Sequence, residues 1–127
     1  MDIREAIEKY RPCCEQEARD KAVILSFIDS APDAFERSNL IAHMTASAWV
    51  VNPARDKVLM VYHKIYDSWS WTGGHADGER DLLSVALREV REETGVKSVH
   101  PVTEDIYSLE VLTVDGHEKR GEYVPSH

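Results

Sequence analysis

An α+β fold is predicted by three features of this sequence. Residues 2–29 and 81–94 carry apolar side chains at helical spacing. Residues 43–72 are rich in β-formers broken by turn residues, and a glycine pair separates them from the later helical stretch. The 127 residues suffice for one small core. We read 1–40 as a helical N-terminal extension and 41–127 as the main domain.

In the N-terminal stretch, Ile3, Ala6, Ile7 and Tyr10 fall at i, i+3, i+4 and i+7 until Pro12 interrupts. A second run, CEQEARDKAVILSFIDS, carries Ala18, Ala22, Leu25 and Ile28 at helical spacing. APDAFERSN (31–39) reads as a linker with a turn. HMTASAWVV (43–51) and KVLMVYHK (57–64) flank the turn-forming NPARD and predict a hairpin. SWSWT (68–72) predicts a short third strand that runs into Gly73-Gly74. Residues 81–94 are predicted helical: Asp81 is a good N-cap, and Leu82, Leu83, Ala86, Leu87 and Val90 make an apolar face. Gly95 supplies the stop. DIYSLEVLTV (105–114) reads as a further strand, and DGHEKRGEY as a polar loop.

At 43% hydrophobic and 30% charged, the composition is that of an ordinary soluble domain. No apolar run approaches the ~20 residues that cross a bilayer. The charged start MDIREAIEKYRP lacks the apolar stretch of a secretion signal, so a cytoplasmic protein without membrane partners is expected. Cys13 and Cys14 are adjacent; neighbours bridge only with strain and lack metal-ligand spacing, so two reduced thiols are expected. Fifteen basic against twenty-three acidic residues give a net charge of −8 with no basic cluster. Binding to DNA or RNA through phosphates is disfavoured. A small anionic substrate remains compatible where a divalent cation mediates the contact.

The densest charge lies in REVREETGV (88–96). Helical spacing projects Glu89, Glu92 and Glu93 together, opposite Leu83, Ala86 and Val90. Three mutually repelling carboxylates cost stability unless something positive sits among them, and oxygen-only ligands suit hard cations such as Mg²⁺ or Mn²⁺. The bland alternative is a solvated acidic face laced with Arg88 and Arg91. EF-hand calcium binding is set aside, because the alternating acidic pattern is absent around Asp77-Gly78.

The stretch GGHADGERDLLSVALREVREETGV (73–96) resembles the signature of the Nudix hydrolases, G-x5-E-x7-R-E-U-x-E-E-x-G-U with U aliphatic. Arg88, Glu89, Val90, Glu92, Glu93, Gly95 and Val96 match its tail, and Gly74 stands where the leading glycine should. The resemblance implies a mixed β-sheet between helices, an α/β/α sandwich. It also implies hydrolysis of the pyrophosphate of a nucleoside diphosphate linked to another moiety, by water attacking phosphorus with Mg²⁺, or Mn²⁺, as cofactor. Glu89, Glu92 and Glu93 would then be metal ligands, with Glu92 or Glu93 handling the proton of water. The Gly73 carbonyl would add a ligand from the turn, and Arg88 would hold a glutamate through charge-assisted hydrogen bonds.

This chain departs from the pattern in places. Counting six from Gly74 lands on Arg80, while Glu79 lies one residue early. Glu79 can still fold toward the metal, and Arg80 can alternatively contact phosphate. Thr72 stands where many members have proline. Near it lies the aromatic run Tyr66, Trp69 and Trp71; Trp69 and Trp71 share one side of a strand and read first as core residues, alternatively as stacking partners for a nucleobase. His63 and His75 are candidates for phosphate contact, with an ordinary structural role as the alternative. Glu118 and Glu122 could supply a catalytic base, with a solvated loop as the plainer reading. Only 31 residues follow Val96, and the family's fold usually continues further. A fragment of a longer protein is therefore expected; pairing with a second copy, a homodimer, is the other way to finish the sheet. The leading functional expectation is a hydrolase. A Nudix-like module that binds a nucleotide without cleaving it is the alternative, and a purely structural protein the third reading.

Overall fold

The computed structural model describes residues 2–64 and 67–112, together with the backbone of 117–119 and 122–124. Tyr66 lies outside the described residues, as do the last two residues of the strand expected over 105–114.

Two helices open the chain. α1 (Ile3–Lys9) starts where the Asp2 carboxylate accepts from the backbone N–H groups of Arg4 and Glu5. It ends before Pro12, and Lys21 Nζ donates to the carbonyls of Glu8 and Tyr10 at 2.7 and 2.8 Å, groups that a helix end would otherwise leave unpaired. α2 (Glu15–Ser30) brings that lysine into place. Arg4 ties the pair by a fork onto Asp29 at 2.6 and 2.9 Å, and Ile7 and Ile24 are buried. Cys13 and Cys14, just ahead of α2, are free and exposed.

Three extended stretches form the β layer, and each changes partner once. β1 (Thr45–Ala48) and β2 (Val50–Val51) flank Trp49. β3 (Val58–Leu59) and β4 (Val61–His63) flank Met60, and β5 (Ser68–Ser70) and β6 (Thr72–His75) flank Trp71. β1 pairs with β6, β2 with β3 and β4 with β5, all antiparallel. The expected hairpin forms through β2 and β3, while the first half of its leading strand lies against β6 instead. The fold is α+β, as the sequence predicts; among the described residues the strand pairs are antiparallel throughout.

The third strand runs further than SWSWT. It continues through both glycines to His75, because Gly73 and Gly74 pair with Ser47 and Ala46 across the ladder. The reversal comes later, where Asp77 and Gly78 take positive φ values of 49° and 87°. α3 (Leu82–Thr94) follows with both expected caps: Asp81 accepts from Ser84 N–H, and Gly95 sits at φ 75° with its N–H on the Arg91 carbonyl. α3 rests on β1 and β6, burying Val85, Ala86 and Val90, with Ala46 beneath Val85 and Ala86.

Three expectations need correction. The linker 31–39 is part of the core: Ala34 and Phe35 are buried with Ala76, and Ile3, Phe27, Met44 and Leu82 pack around them. Backbone bonds stitch the segment down, Met44 N–H to Ala34 O at 2.7 Å and Gly78 N–H to Phe35 O at 2.8 Å. The strand at 105–112 does not form. Its backbone instead uses α2, with Leu109 N–H on Glu17 and Val111 N–H on Asp20, while Tyr10 Oη donates to Tyr107 O. The polar loop 115–123 contains strand pairing: β7 (His117–Lys119) and β8 (Glu122–Val124) are antiparallel, with Glu118 opposite Tyr123 and Lys119 opposite Glu122. Backbone pairing made this hairpin, and a search for apolar alternation could not see it.

Candidate active site

The site begins with what glycine leaves out. A Cβ on Gly74 would fall on the Glu89 carboxyl group, 2.7 Å from each oxygen, so only a glycine lets this carboxylate lie against β6. A Cβ on Gly73 would meet Ser47 Oγ and come within 3.0 Å of the Ala46 carbonyl. Next to that bare strip, Gly73 N–H donates to Glu93 Oε1 at 2.9 Å. The two glycines therefore dock the second half of α3 edge-on through its acids, as its first half docks through Val85 and Ala86.

This corrects the predicted face. Val85 and Glu89 stand four apart and share one side of the helix, as do Ala86 and Val90 on the neighbouring strip. Glu89 and Glu93 thus continue the sheet-facing surface rather than oppose it. Val85, absent from the predicted apolar face, is fully buried.

Electrostatics follow from that placement. Burial pushes the Glu89 carboxyl above its ordinary range, and the charges of Glu92 and Glu93 push the same way. Arg88 opposes the rise through its hydrogen bond and its charge without cancelling it: its Nη2 reaches Glu89 Oε1 at 3.5 Å and the His75 carbonyl at 3.4 Å, both long. An open depression of about 750 Å³ lies beside this edge, lined by Arg37, Asp77, Glu79, Arg88, Glu89 and Glu92.

Other candidates fall in different places. Glu79 lines the depression, but its Oε1 accepts from Asp81 N–H at 2.9 Å and so helps start α3. Arg80 lies over the Phe35 ring, 4.6 Å from its centroid, and does not line the depression. His75 ends β6 with Nδ1 2.7 Å from His43 Nε2. His63 pairs with Ser68 between β4 and β5. Trp69 is 68% exposed and meets Tyr62 edge-to-face, and Trp71 is 39% exposed, so neither is the core residue first expected. Thr72 is fully buried, and its hydroxyl has no hydrogen-bond partner among the described residues. Glu118 and Glu122 sit on the β7–β8 hairpin.

Two residues of the depression carried no signal in the sequence. Arg37 sits in the supposed linker, and it forks onto Asp77 through Nε and Nη2, both at 2.8 Å. That fork lowers the Asp77 carboxyl below its ordinary value. Neither residue belongs to a spacing pattern, so only packing of 31–39 onto the turn reveals them.

The oxygen donors suit a hard divalent cation: Glu89 in the space a Cβ would fill, Glu92 and Glu93 beside it, and backbone oxygen at the glycines. Among the described residues no group of three or more His, Cys, Asp or Glu side chains is placed to hold a metal ion. The donors are instead ranged along one helix edge, with Glu92 and Glu93 exposed. Nor, among those residues, is any helix long and apolar enough to cross a membrane. No curated protein matches the sequence. A family model described as NUDIX domain matches residues 42–124, which include the whole strand layer, both glycines and α3. The chain belongs to the NUDIX domain family.

Proposed function

We propose that this chain is a cytoplasmic hydrolase that cleaves the pyrophosphate of a nucleoside diphosphate linked to another moiety. The observation that carries the reading is the docking of Glu89 and Glu93 against Gly74 and Gly73, which ranges three carboxylates along one helix edge, with Glu89 and Glu92 lining an open depression. Mg²⁺, or Mn²⁺ in its place, would be held by Glu89, Glu92 and Glu93, with the Gly73 carbonyl and Glu79 as further oxygens. When bound, the ion supplies charge neutralisation for phosphate oxygens and lowers the pKa of water.

The protein's own residues supply the rest. Residue N–H and C=O groups leave a paired strand on the same side. The N–H of Gly73 reaches Glu93, so its carbonyl is aimed toward the same helix edge. Arg88 lies beside Glu89 and the His75 carbonyl at 3.5 and 3.4 Å, where its charge can steady the Glu89 carboxylate. Glu92 and Glu93 are exposed to the solvent from which the nucleophile comes, and either can take its proton. Trp69 and Trp71 offer exposed rings for a base or sugar, and His75 borders the turn.

Nucleotide sugars, dinucleoside polyphosphates and oxidised nucleoside triphosphates, each with Mg²⁺, form the test panel. At least one should be hydrolysed, and Glu93→Gln should slow it by about 10²-fold or more. No turnover across the panel, or equal rates in the variant, would refute the hydrolase. One observation favours a second reading: Glu79 serves Asp81 N–H, so a Nudix-like module that binds a nucleotide without cleaving it needs no change at that position. Calorimetric binding with intact ligand recovered would select it.

A further inference from the structure

We propose that Arg37, from the segment that precedes the family match, binds a phosphate of the ligand in this site and is aimed there by Asp77. The inference rests on the pyrophosphate-binding reading of the site and adds a residue that neither the signature nor the matched span 42–124 contains. Arg37 lines the same depression as Glu89 and Glu92, and its charge is close enough to Glu89 for the two to attract.

The geometry favours ligand binding over a purely structural pair. Arg37 and Asp77 are both about half exposed, 55% and 48%. Exposed ion pairs contribute little to stability, so the fork does more to orient the guanidinium than to hold the fold. It engages Nε and Nη2, and among the described residues Nη1 makes no hydrogen bond. A planar guanidinium anchored along one edge presents its remaining N–H donors in fixed directions, which is the arrangement that recognises phosphate oxygens. The depression needs such a group. Asp77, Glu79, Glu89 and Glu92 would repel an entering diphosphate, and Arg88 already faces the His75 carbonyl and Glu89. Arg80 is over Phe35, which leaves Arg37 as the other cation on the lining.

The position of Arg37 is also set by the fold around it. Phe35 is buried two residues earlier, its carbonyl accepts from Gly78 N–H, and that bond pins 31–39 onto the turn that carries Asp77. The segment between α2 and β1 therefore contributes a wall of the site.

The test is calorimetric titration of inorganic pyrophosphate with Mg²⁺ into the full chain and its variants. Arg37→Ala should weaken binding about tenfold, and Arg37→Lys, which keeps the charge without the fork, about threefold. Asp77→Ala should cost less than Arg37→Ala, because the guanidinium remains. Thermal midpoints of all three should stay close to wild type. Equal affinity in wild type and Arg37→Ala overturns the proposal, and so does a larger loss in Asp77→Ala than in Arg37→Ala, which marks a structural latch. A wild-type chain that does not bind pyrophosphate overturns it too. If pyrophosphate binds and Arg37→Ala loses it while no nucleotide is hydrolysed, Arg37 stands and the hydrolase reading falls.

Discussion

Two helices of this protein carry clustered acids, and their surroundings differ. On α2, Glu17 is buried yet surrounded by donors: Tyr10 Oη at 2.6 Å, Cys13 N–H at 2.8 Å and Leu109 N–H at 3.4 Å. Those bonds, Tyr10 first, hold its carboxyl below the ordinary range. On α3, Glu89 lies against glycine with two like charges near it and one long contact to Arg88, and its carboxyl is pushed up. The first helix uses acids as architecture, to receive a segment that has no strand partner. The second holds acids that the protein itself leaves under-neutralised, as a cation-binding edge requires.

The largest effect that can break this contrast is on turnover. Glu92→Gln combined with Glu93→Gln should abolish detectable hydrolysis, a loss of about 10²-fold or more, with an unchanged or raised melting temperature. Glu17→Gln should do the reverse, lowering the melting temperature while leaving kcat/KM of the surviving folded protein close to wild type. Next comes Gly74→Ala, whose Cβ would displace the Glu89 carboxyl. It should cost about 1–3 kcal/mol in chemical denaturation, together with activity. Preserved activity would mean that Glu89 need not lie against β6. A smaller change is expected at the Thr72 hydroxyl: Thr72→Val should stabilise the fold by ~1 kcal/mol, since among the described residues that hydroxyl has no hydrogen bond to lose.

Acid titration in metal-free buffer sharpens the same comparison. Glu17 has a lowered folded pKa, so its stabilisation is present above the ordinary 4.5 and is lost as pH falls through the folded value. Glu89 has a raised folded pKa, so its relative stability is full below 4.5 and is lost as pH rises through the folded value. Accordingly, Glu17→Gln should be less stable than wild type at pH 7 and Glu89→Gln more stable. Both differences should shrink at low pH. Same-signed differences at pH 7 would remove the distinction between the helices.

The sequence exposed α3 well and α2's role poorly, for a physical reason. Asp81, the apolar period and Gly95 are local signals, and the structure uses each of them in place. The signature spacing likewise placed Glu89, Glu92 and Glu93 on one helix before any contact was known. Which way that helix turns is a tertiary matter: small Ala46 and the glycines let Val85, Glu89 and Glu93 face the sheet, a choice that apolar periodicity alone misjudged. DIYSLEVLTV carries a genuine strand pattern, but Glu17 and Asp20, about ninety residues away, take the backbone donors a neighbouring strand would have taken. APDAFERSN looks like a linker because it carries Pro32 and the turn formers Asp33, Ser38 and Asn39 and shows no apolar period. Only the burial of Ala34 and Phe35 makes it a core segment, and with it Arg37 a resident of the site.

The most direct test of the central claim, that α3's acids are a cation edge and α2's are not, is a melting titration with Mg²⁺. The midpoints of wild type and Glu17→Gln should both climb with Mg²⁺, approaching ~2.7 kcal/mol of added stability at a hundredfold excess over Kd, while Glu92→Gln/Glu93→Gln should not move. A wild-type midpoint indifferent to Mg²⁺, or an equal climb in the double variant, would contradict it.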